Sequence, residues 1–389
     1  MHILTLNMGS SSLKFSLHDL DGGEALRADG LLDGIGQPAG RVTISDGNGE
    51  PLLDRPQPLP DARQALHTLL AWLTEKRELE RIDGVGHRVV HGGPRHAAPA
   101  RIGPTLVAEL RGLALLAPLH MPPEIEAIEE WLRLLPGVPQ VACFDTAFHR
   151  SIPEVARTYA LPRRFRDAGV QRFGFHGLSY EYILEELATE AGRQSANGRL
   201  IVAHLGNGAS MAAISGGKCV DTTMGFTPTG GLVMGTRPGD LDPGILTWLL
   251  SQARVSPTDL AKLLQHESGL FGLSGGTSDM RTLQRPDASP EAKLAVAVFC
   301  HVARKHVGAL AATLGGLDTL VFTAGIGEHS PEVRREICRG LAFLGIELDE
   351  ARNRANAAVI STGRVTVRVM KTNEERMIAR HTARALEAK

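Results

Sequence analysis

The chain has 389 residues, more than a single hydrophobic core usually serves, so two domains are expected. Hydrophobic residues make up 43% of the sequence and charged residues 22%, as in ordinary globular proteins. The formal net charge of −1 gives no sign of a global attraction to nucleic acid or to an anionic membrane, and neither is expected as a partner. Any phosphate site must therefore be built locally.

Cysteine usage and the N-terminus predict a cytoplasmic protein. The four cysteines (Cys143, Cys219, Cys300 and Cys338) lie far apart, with no CxxC pair and no metal-ligand spacing with histidine. They are expected to be buried thiols in a reducing compartment. The N-terminus lacks the basic region and apolar run of a signal peptide, and no stretch approaches the about 18 apolar residues of a membrane span.

The first half of the chain alternates strand and helix patterns. Strands are predicted at ILTL, LKFSLHDL, RVTIS, IDGVGHRVVHGG and VPQVACFD, the last ending on an aspartate. An amphipathic helix is predicted over PDARQALHTLLAWLTEKREL, and helical stretches flank APLHMPPE. The turn NMGSSS joins the first two strands.

The opening pattern returns near residue 199, where RLIVAHLGNGASMAAISGGKCVDTT again predicts three strands joined by small-residue turns. Helices follow around DPGILTWLLSQA and SPTDLAKLLQH, and a long helix runs from about Pro290 to Leu314. Next come a buried strand with a Gly-rich turn at LDTLVFTAGIGEHS, the strand VTVRVMK and a final helix capped by Thr372 or Asn373. This repeat predicts two related α/β domains, 1–148 plus 373–389 and 149–372, each with a hairpin turn at a shared cleft.

Three turns of small residues are suited to phosphate. They are NMGSSSLKF, with Asn7 and Lys14 on its flanking strands, HLGNGAS (204–210) and TAGIGEHS (323–330). Each alone is most simply an ordinary turn, but together they favour a nucleotide site. No Walker P-loop is present, because SGGKCV lacks both the spacing and the terminal hydroxyl.

Four charged or titratable residues lie in apolar or Gly-rich settings: Arg88 in GHRVVHGG, Asp145 in CFDTAFH, His176 in GFHGLSY and Arg237 in GTRPGDLDPG. Each alone is compatible with a satisfied buried ion pair or a solvated loop. Arginines between glycines and small residues favour a ligand, because such loops allow its close approach.

These motifs resemble the acetate kinase family along nearly the whole chain. The matching stretches, in order, are NMGSSSLKF, GHRVVHGG, APLH, FDTAFH, GFHG, HLGNGAS, VDTTMGFTP, MGTRPGDLDPG, SGGTSDMR, GGLDTLVFTAGIGE and TNEERMIAR. The resemblance implies the actin, Hsp70 and sugar-kinase fold, with two RNase-H-like domains and a nucleotide cleft between them. It also implies Mg²⁺-dependent, reversible transfer of the γ-phosphoryl group of ATP to acetate, and a homodimer.

The resemblance implies roles for individual residues. Arg88 would bind the acetate carboxylate, Arg237 would bridge carboxylate and phosphoryl group, and His176 would hydrogen-bond the phosphoryl oxygens. Asp145 is the family's other catalytic residue. The pocket around the acetate methyl group would consist of Val90, Leu119, Phe175 and Pro228. Mg²⁺, for which Mn²⁺ could substitute, would lie near Asn7 and Glu374, and the nucleotide phosphates near Lys14. ATP would be held by His204, Leu205, Gly206, Asn207, Gly208, Asp279, Met280, Arg281, Gly325, Ile326, Gly327, Glu328 and His329.

Asp145 is expected to orient an arginine or a metal-bound water rather than to act as a base. A carboxylic acid has a pKa of about 4, so acetate is already an anion at neutral pH and has no proton to lose.

Five positions depart from the family's usual pattern. Met121 replaces an asparagine after APLH, Leu178 and Tyr180 stand in GFHGLSY where GFHGTSH is usual, Gly230 replaces a glutamate, and His329 ends the GIGE corner in place of asparagine. None removes a proposed catalytic group. They leave open dimer contacts, the substrate pocket and the use of GTP or pyrophosphate in place of ATP.

Other functions remain as alternatives at this stage. A kinase for propionate or butyrate would use the same chemistry, and one methylene changes binding by only about 1–3 kcal/mol. An Hsp70- or actin-like module that works by conformational change would leave Arg88, Arg237 and His176 without a purpose. A sugar kinase would use Asp145 as a base for a hydroxyl, but two arginines suit a carboxylate better.

Overall fold

The structure is a computed structural model that describes residues 1–9, 11–118 and 120–388. The chain forms two compact units, Met1–Ala147 with Asn373–Lys389 (unit 1) and Phe148–Thr372 (unit 2). Each unit has its own sheet and helices.

The described residues of unit 1 form an eight-stranded sheet. Its strands are β1 (His2–Met8), β2 (Ser12–Asp19), β3 (Ala25–Asp33), β4 (Arg41–Asp46), β5 (Pro51–Pro56), β6 (Gly84–Val89), β7 (Ala100–Arg101) and β8 (Gln140–Phe144). The order across the sheet is β5-β4-β3-β2-β1-β6-β8-β7. β1, β6 and β8 are parallel neighbours, whereas β1 to β5 form an antiparallel meander.

The described residues of unit 2 form a five-stranded sheet in the order β11-β10-β9-β12-β13. Its strands are β9 (Arg199–Leu205), β10 (Ala209–Ser215), β11 (Lys218–Thr222), β12 (Thr319–Thr323) and β13 (Thr366–Val369). β9 to β11 are antiparallel, and β9, β12 and β13 are parallel.

The two sheets share one topology. The sequence β3-β2-β1-β6-β8 in unit 1 corresponds strand for strand to β11-β10-β9-β12-β13 in unit 2, with an antiparallel hairpin leading into parallel strands. Every residue of β8 and β12 is buried, as expected for parallel strands covered on both faces. The internal repeat predicted from the turns LNMGSSS and LGNGAS is therefore present in the fold.

Helices cover the sheets. Those of unit 1 are α1 (Ala62–Glu75), α2 (Pro104–Leu113) and α3 (Met121–Leu134). Those of unit 2 are α4 (Glu154–Arg157), α5 (Arg163–Asp167), α6 (Gly177–Ala191), α7 (Arg193–Ala196), α8 (Pro243–Ser251), α9 (Pro257–Lys262), α10 (Gly269–Ser274), α11 (Met280–Leu283), α12 (Pro290–Thr313), α13 (Ala324–His329), α14 (Pro331–Cys338) and α15 (Glu350–Arg354). The last helix, α16 (Glu374–Glu387), returns to unit 1.

Helix α16 packs directly on the backbone of β6. A Cβ atom at Gly86 would lie 2.2 Å from Thr382 Oγ1 and 2.6 Å from Ile378 Cγ2, so the helix approaches this closely because residue 86 is glycine. One at Gly84 would meet the end of the flexible Leu386 side chain. The N-terminus of the helix is capped by Asn373, whose side-chain oxygen accepts a hydrogen bond from the Arg376 amide at 2.8 Å. Glu374, the first residue of α16, is thereby fixed beside β6.

Within the part of the chain that the structure describes, one helix has the length and composition of a membrane span, namely α12. Eight of its residues, including Phe299, Val307 and Leu310, are buried against the rest of unit 2. From the sequence we expected a helix here but no apolar stretch of membrane-spanning length. The packing of α12 within unit 2 accounts for its apolar residues.

The structure corrects several predicted elements. β3 and β5 were missed, and the amphipathic helix ends at Glu75 rather than near residue 80. α3 begins inside APLHMPPE, at Met121, because its two prolines occupy the first turn, where no amide hydrogen is needed. The helix predicted over SPTDLAKLLQH changes after Lys262 into a π-helical turn, Leu263–Glu267.

A further correction concerns TAGIGEHS, predicted as a Gly-rich turn. Its residues form the short helix α13 immediately after β12. Glu328 Oε1 accepts a hydrogen bond from the Ala324 amide at 2.8 Å, and the buried Arg334 donates to the carbonyls of Gly327 and Glu328 at 2.8 and 2.9 Å. These tertiary bonds overcome the low helix propensity of glycine.

Candidate active site

Unit 1 contains a buried arginine surrounded by carboxyl groups. Arg88 lies on β6 and Asp145 directly follows β8, two adjacent parallel strands whose carboxyl ends lie together. Arg88 Nη2 lies 2.5 Å from Asp145 Oδ2, and the Asp145 amide donates to the carbonyl of Val89 at 3.0 Å. Asp145 therefore pairs with the guanidinium of Arg88, the contact that one of its two predicted roles requires.

Two further carboxyl groups approach the same guanidinium. Glu374 Oε2 lies 3.7 Å from Arg88 Nε, and Glu124 Oε1 lies 3.9 Å from Arg88 Nη1. Burial by itself would lower the pKa of Arg88, but the carboxylates of Asp145, Glu374 and Glu124 outweigh it and raise that pKa. Arg88 is thus held as a cation, and the carboxyl groups around it outnumber its single positive charge.

Glu124 is the member of this cluster that the sequence did not reveal. Its side chain is 1% exposed, and its Oε2 accepts a hydrogen bond from the Val90 amide at 2.9 Å. Burial raises its pKa to about 8, against the lowering effect of Arg88. Its Oε1 has no hydrogen-bond partner among the described residues. Burial therefore favours the protonated, neutral form of Glu124.

Asn7 and Lys14 lie opposite each other on the β1–β2 hairpin. Asn7 Oδ1 accepts from Arg88 Nη1 at 3.4 Å, and its Nδ2 donates to Glu375 Oε1 at 3.5 Å. Burial raises the pKa of Glu374, the Glu375 carboxylate adds to this, and Arg88 and Lys14 oppose it. The structure therefore brings Asn7, Arg88, Asp145 and Glu374 together, and it adds Glu375, which the sequence did not reveal.

The residues predicted to form the methyl pocket belong to both units. Val90 follows β6 in unit 1 and is buried, whereas Phe175 and Pro228 are buried in unit 2. Leu119, the fourth predicted member, lies outside the described residues.

In unit 2, His176 is placed by an unusual backbone conformation. It precedes α6 with φ of 59°, in the left-handed region that non-glycine residues rarely adopt and that often marks functional sites. The preceding carbonyl, that of Phe175, accepts a hydrogen bond from Nε2 of the buried His149 at 2.9 Å. Burial lowers the pKa of His149 to about 4, so it supports this strained segment as a neutral imidazole.

The turn between β9 and β10 brings together two candidate phosphoryl-binding groups. A Cβ atom at Gly208 would lie 3.0 Å from Arg237 Nη2 and 3.1 Å from His176 Nε2. A positively charged guanidinium and an imidazole nitrogen therefore lie beside the same backbone segment, which has no side chain at Gly208. Arg237 is fixed by donating to the carbonyl of Pro228 at 2.5 Å. This arrangement suits an anion.

Behind this turn, two histidine rings are stacked. The rings of His176 and His204 have centroids 4.2 Å apart and planes inclined by 19°. His176 Nδ1 lies 2.8 Å from Ser210 Oγ, and His204 Nδ1 lies 2.8 Å from Ser179 Oγ. Each imidazole is therefore held at Nδ1 by a buried serine.

The other predicted nucleotide residues lie on three short segments of unit 2. The segments are the β9 end and turn (Leu205, Gly206 and Asn207), the start of α11 (Asp279, Met280 and Arg281) and α13 (Gly325, Ile326, Gly327, Glu328 and His329). Asp279 caps α11 and pairs with the exposed Arg281 at 3.2 Å. Glu328 Oε1 also accepts from the Thr372 amide at 3.2 Å, so Glu328 has a structural use independent of any ligand.

Comparison with known proteins identifies the chain. The model of the acetokinase family matches residues 2–380. The chain belongs to this family. A relative from Nitrobacter hamburgensis named acetate kinase is 46% identical over 387 residues, which cover 98% of this chain and 95% of the relative.

Two further relatives are named propionate kinases. One from Citrobacter rodentium is 45% identical over 390 residues, covering 98% of this chain and 96% of the relative. The crystal structure of the other, from Francisella tularensis, superimposes with a TM-score of 0.93 at 36% identity, covering 98% of this chain and 99% of that one. The predicted family and the predicted α/β fold class are therefore confirmed. The relatives include proteins named acetate kinase and proteins named propionate kinase.

We expect the neutral variant Glu124→Gln to gain stability relative to the wild type as pH rises. The folded-state pKa of Glu124 is raised, so its contribution is present below the ordinary carboxyl pKa and is lost as pH approaches about 8. Glutamine carries no charge and retains an oxygen for the Val90 amide. Urea unfolding between about pH 6 and about pH 9 measures the difference.

The matched control is Glu126→Gln, which changes an exposed glutamate on the same helix. Its difference from the wild type should stay constant across the same pH range. A constant difference for Glu124→Gln as well would contradict a raised pKa at Glu124.

Proposed function

We propose that this protein transfers the γ-phosphoryl group of ATP directly to acetate, giving acetyl phosphate and ADP. The observation that carries the proposal is Arg88, a cation that pairs with Asp145 and lies two residues before the buried Val90 in a member of the acetokinase family. A buried guanidinium next to a small apolar side chain is suited to a short carboxylate.

Arg88 would bind the carboxylate of acetate and orient one of its oxygens for attack. That oxygen forms the new bond to the γ-phosphorus, while the bond from phosphorus to the bridging oxygen breaks and ADP leaves with the electron pair. Acetate is ionised at neutral pH, so no proton is transferred. Asp145 acts by holding Arg88, since its Oδ2 is already committed to the guanidinium at 2.5 Å.

His176 and Arg237 would stabilise the transferring phosphoryl group. Their Nε2 and Nη2 atoms border the turn at Gly208, so both can donate to an oxygen lying over that backbone. Charge on the equatorial oxygens of a phosphoryl group in transfer is stabilised by such preorganised donors. We propose that the clusters of unit 1 and unit 2 serve this one reaction.

The residues of unit 1 fit a divalent cation, which we propose to be Mg²⁺, with Mn²⁺ as a substitute. Three carboxyl groups surround the single positive charge of Arg88. Burial and the Glu375 carboxylate raise the pKa of Glu374, and a bound metal ion would lower that pKa again. Asn7 and Glu374 would hold the ion, with Glu375 adjacent. When bound, the ion would neutralise charge on the nucleotide phosphates.

The nucleotide would be held by residues of unit 2. The Gly206–Gly208 turn exposes backbone close to His176 and Arg237, and α11 and α13 present the remaining predicted residues. Lys14 in unit 1 is exposed and would add a positive charge for the phosphates. We propose ATP as the donor and assign the acetate side to unit 1 and the nucleotide side to unit 2.

Propionate is the second candidate substrate. Two relatives of comparable similarity are named propionate kinases. Val90 is 2% exposed, and its backbone is fixed by Glu124, so the pocket wall cannot easily recede to admit another methylene. We therefore propose acetate as the preferred substrate, with overlap toward propionate.

We propose a homodimer formed through unit 2. Helix α8, all of whose residues are described, has no buried residue and exposes Ile245, Trp248 and Leu250. The packed helices α10 and α12 expose Phe271 and Leu294. An exposed apolar helix of this kind is typical of a surface that a second copy covers. We also propose a cytoplasmic location, since the four cysteines are buried and form no disulfide.

The reaction is tested by incubating the protein with MgATP and acetate, propionate, butyrate or glucose, and trapping acyl phosphate with hydroxylamine. We expect the most hydroxamate from acetate, less from propionate and none from glucose. Hydroxamate mainly from propionate would establish the second candidate. ATP hydrolysis or glucose phosphorylation without hydroxamate would contradict a carboxylate acceptor.

A methyl group at Gly208 should damage the reaction without unfolding the protein. The added Cβ would press on Arg237 Nη2 and His176 Nε2, and a displacement of a few tenths of an ångström at reacting groups lowers kcat by about tenfold. Gly308→Ala, in α12 with nothing within 4 Å of the new Cβ, is the matched control and should keep full activity. Wild-type kcat in Gly208→Ala would contradict the anion-binding role of this turn.

The dimer is tested by Trp248→Asp, which places a charge on the exposed apolar face of α8. Light scattering should give the mass of two chains for the wild type and of one chain for the variant. Val155→Asp, at another exposed apolar position of unit 2, is the control and should remain dimeric. A monomeric wild type, or an unchanged mass for Trp248→Asp, would contradict the proposed interface.

A further inference from the structure

A chain of buried hydroxyl groups leads to the imidazole of His176. Tyr180 Oη forms a short hydrogen bond with Ser210 Oγ, and Ser210 Oγ lies 2.8 Å from His176 Nδ1. Tyr180 and Ser210 are both 0% exposed. Water therefore cannot readily substitute for either hydroxyl, and the protein must satisfy the polar atoms of the chain.

The chemistry of the two hydroxyl groups favours one direction for the chain. A phenol, with a pKa of about 10, is a better hydrogen-bond donor than an aliphatic alcohol, and the alcohol is the better acceptor. This difference favours Tyr180 as the donor to Ser210, which leaves the hydrogen of Ser210 to be donated to His176 Nδ1. In this arrangement Nδ1 is an acceptor, so the imidazole proton lies on Nε2.

We propose that Tyr180 is a positioning residue that holds His176 as the neutral Nε2–H tautomer through Ser210. Nε2 is the nitrogen that borders Gly208 beside Arg237, so its hydrogen points to where an anion would lie. The inference rests on the proposed function, in which His176 donates a hydrogen bond to the transferring phosphoryl group. Without the chain, the proton could move to Nδ1 and leave Nε2 as an acceptor facing an anionic phosphoryl group.

The groups that face His176 also favour the neutral imidazole. The guanidinium of Arg237, on the loop after β11, disfavours a second positive charge close by. The ring of His204, on β9, is stacked on His176 at 4.2 Å, so the two rings resist being charged together. His204 has a separate chain through Ser179 to Thr372, with both hydrogen bonds at 2.8 Å. Tyr180, the other ring in this chain of hydrogen bonds, packs edge-to-face against the neutral His149.

Tyr180 is also one of the positions at which this chain departs from the family's usual GFHGTSH pattern. The substituted side chain is long enough to reach Ser210 from α6 and is held between the rings of Phe148 and His149. Its hydroxyl is therefore placed by packing as well as by the hydrogen bond.

The test compares Tyr180→Phe with the wild type in the full chain. Long-range ¹H–¹⁵N spectra of histidine-labelled protein report which ring nitrogen carries the proton, and His176→Asn identifies the signals of His176. We expect Nε2–H in the wild type and loss of that single tautomer in Tyr180→Phe. We also expect kcat to fall by about threefold to tenfold, the loss that one hydrogen bond gives, while the KM for acetate changes by less than about twofold. In a pH titration of the same signals, His176 should become protonated at a higher pH in Tyr180→Phe than in the wild type, because Ser210 could then accept a hydrogen from the protonated ring.

Tyr182→Phe is the matched control, since it removes the same hydroxyl from a buried tyrosine on the same helix. It should leave the tautomer and the titration of His176 unchanged. If Tyr180→Phe fails to fold, Ser210→Ala tests the same hydrogen bond and should give the same tautomer change. An unchanged tautomer, or an unchanged titration of the His176 signals, in a folded variant overturns the proposal. A tautomer change in a protein that forms no acyl phosphate would uphold the chain and contradict the proposed reaction instead.

Discussion

The interaction on which unit 1 depends is the ion pair between Arg88 and Asp145, in a setting where the guanidinium is only 14% exposed and the carboxylate not at all. A charge removed from water to this extent is costly unless opposite charges and hydrogen bonds replace the lost hydration. Asp145 and Glu374 supply opposite charges from the end of β8 and the start of α16, and Glu124 approaches from the start of α3. The ends of three separate elements are thus fixed around one guanidinium, and the glycines of β6 that admit α16 serve the same arrangement.

The two units have the same strand order but carry different functional groups at the ends of their strands. The same strand order occurs in both units, but unit 1 places an arginine and carboxyl groups at the ends of its parallel strands, which suits a carboxylate substrate and a cation. Unit 2 places stacked imidazoles, an arginine and a bare glycine turn at the hairpin, which suits a phosphoryl group. The buried hydroxyl chain from Tyr180 further fixes the direction in which one of those imidazoles donates.

How much could be predicted from the sequence depended on whether the signal was local. Arg88 and Asp145 stood out because each interrupts or ends an apolar strand, and the repeated hairpin turns gave the duplicated topology. Glu124 could not be recognised as a site residue from the sequence. An acidic residue in the first turn of a helix ordinarily faces solvent and interacts favourably with the helix dipole. Its burial follows only from the packing of α3 beside Val90. In the same way, Tyr180 and Ser210 are 30 residues apart, and α13 forms from a glycine-rich segment only because Arg334 and Glu328 brace it.

The central claim is that Arg88 binds the substrate carboxylate, and equilibrium binding tests it most directly. Calorimetric titration with acetate and, separately, with MgATP would be made on the wild type, on Arg88→Met and on Arg88→Met combined with Asp145→Asn. The double variant removes both charges of the ion pair, so it separates lost binding from the cost of an unpaired buried carboxylate. Both variants should lose acetate affinity, while the folded double variant should still bind the nucleotide. Acetate affinity equal to that of the wild type in either variant would contradict a carboxylate-binding role for Arg88.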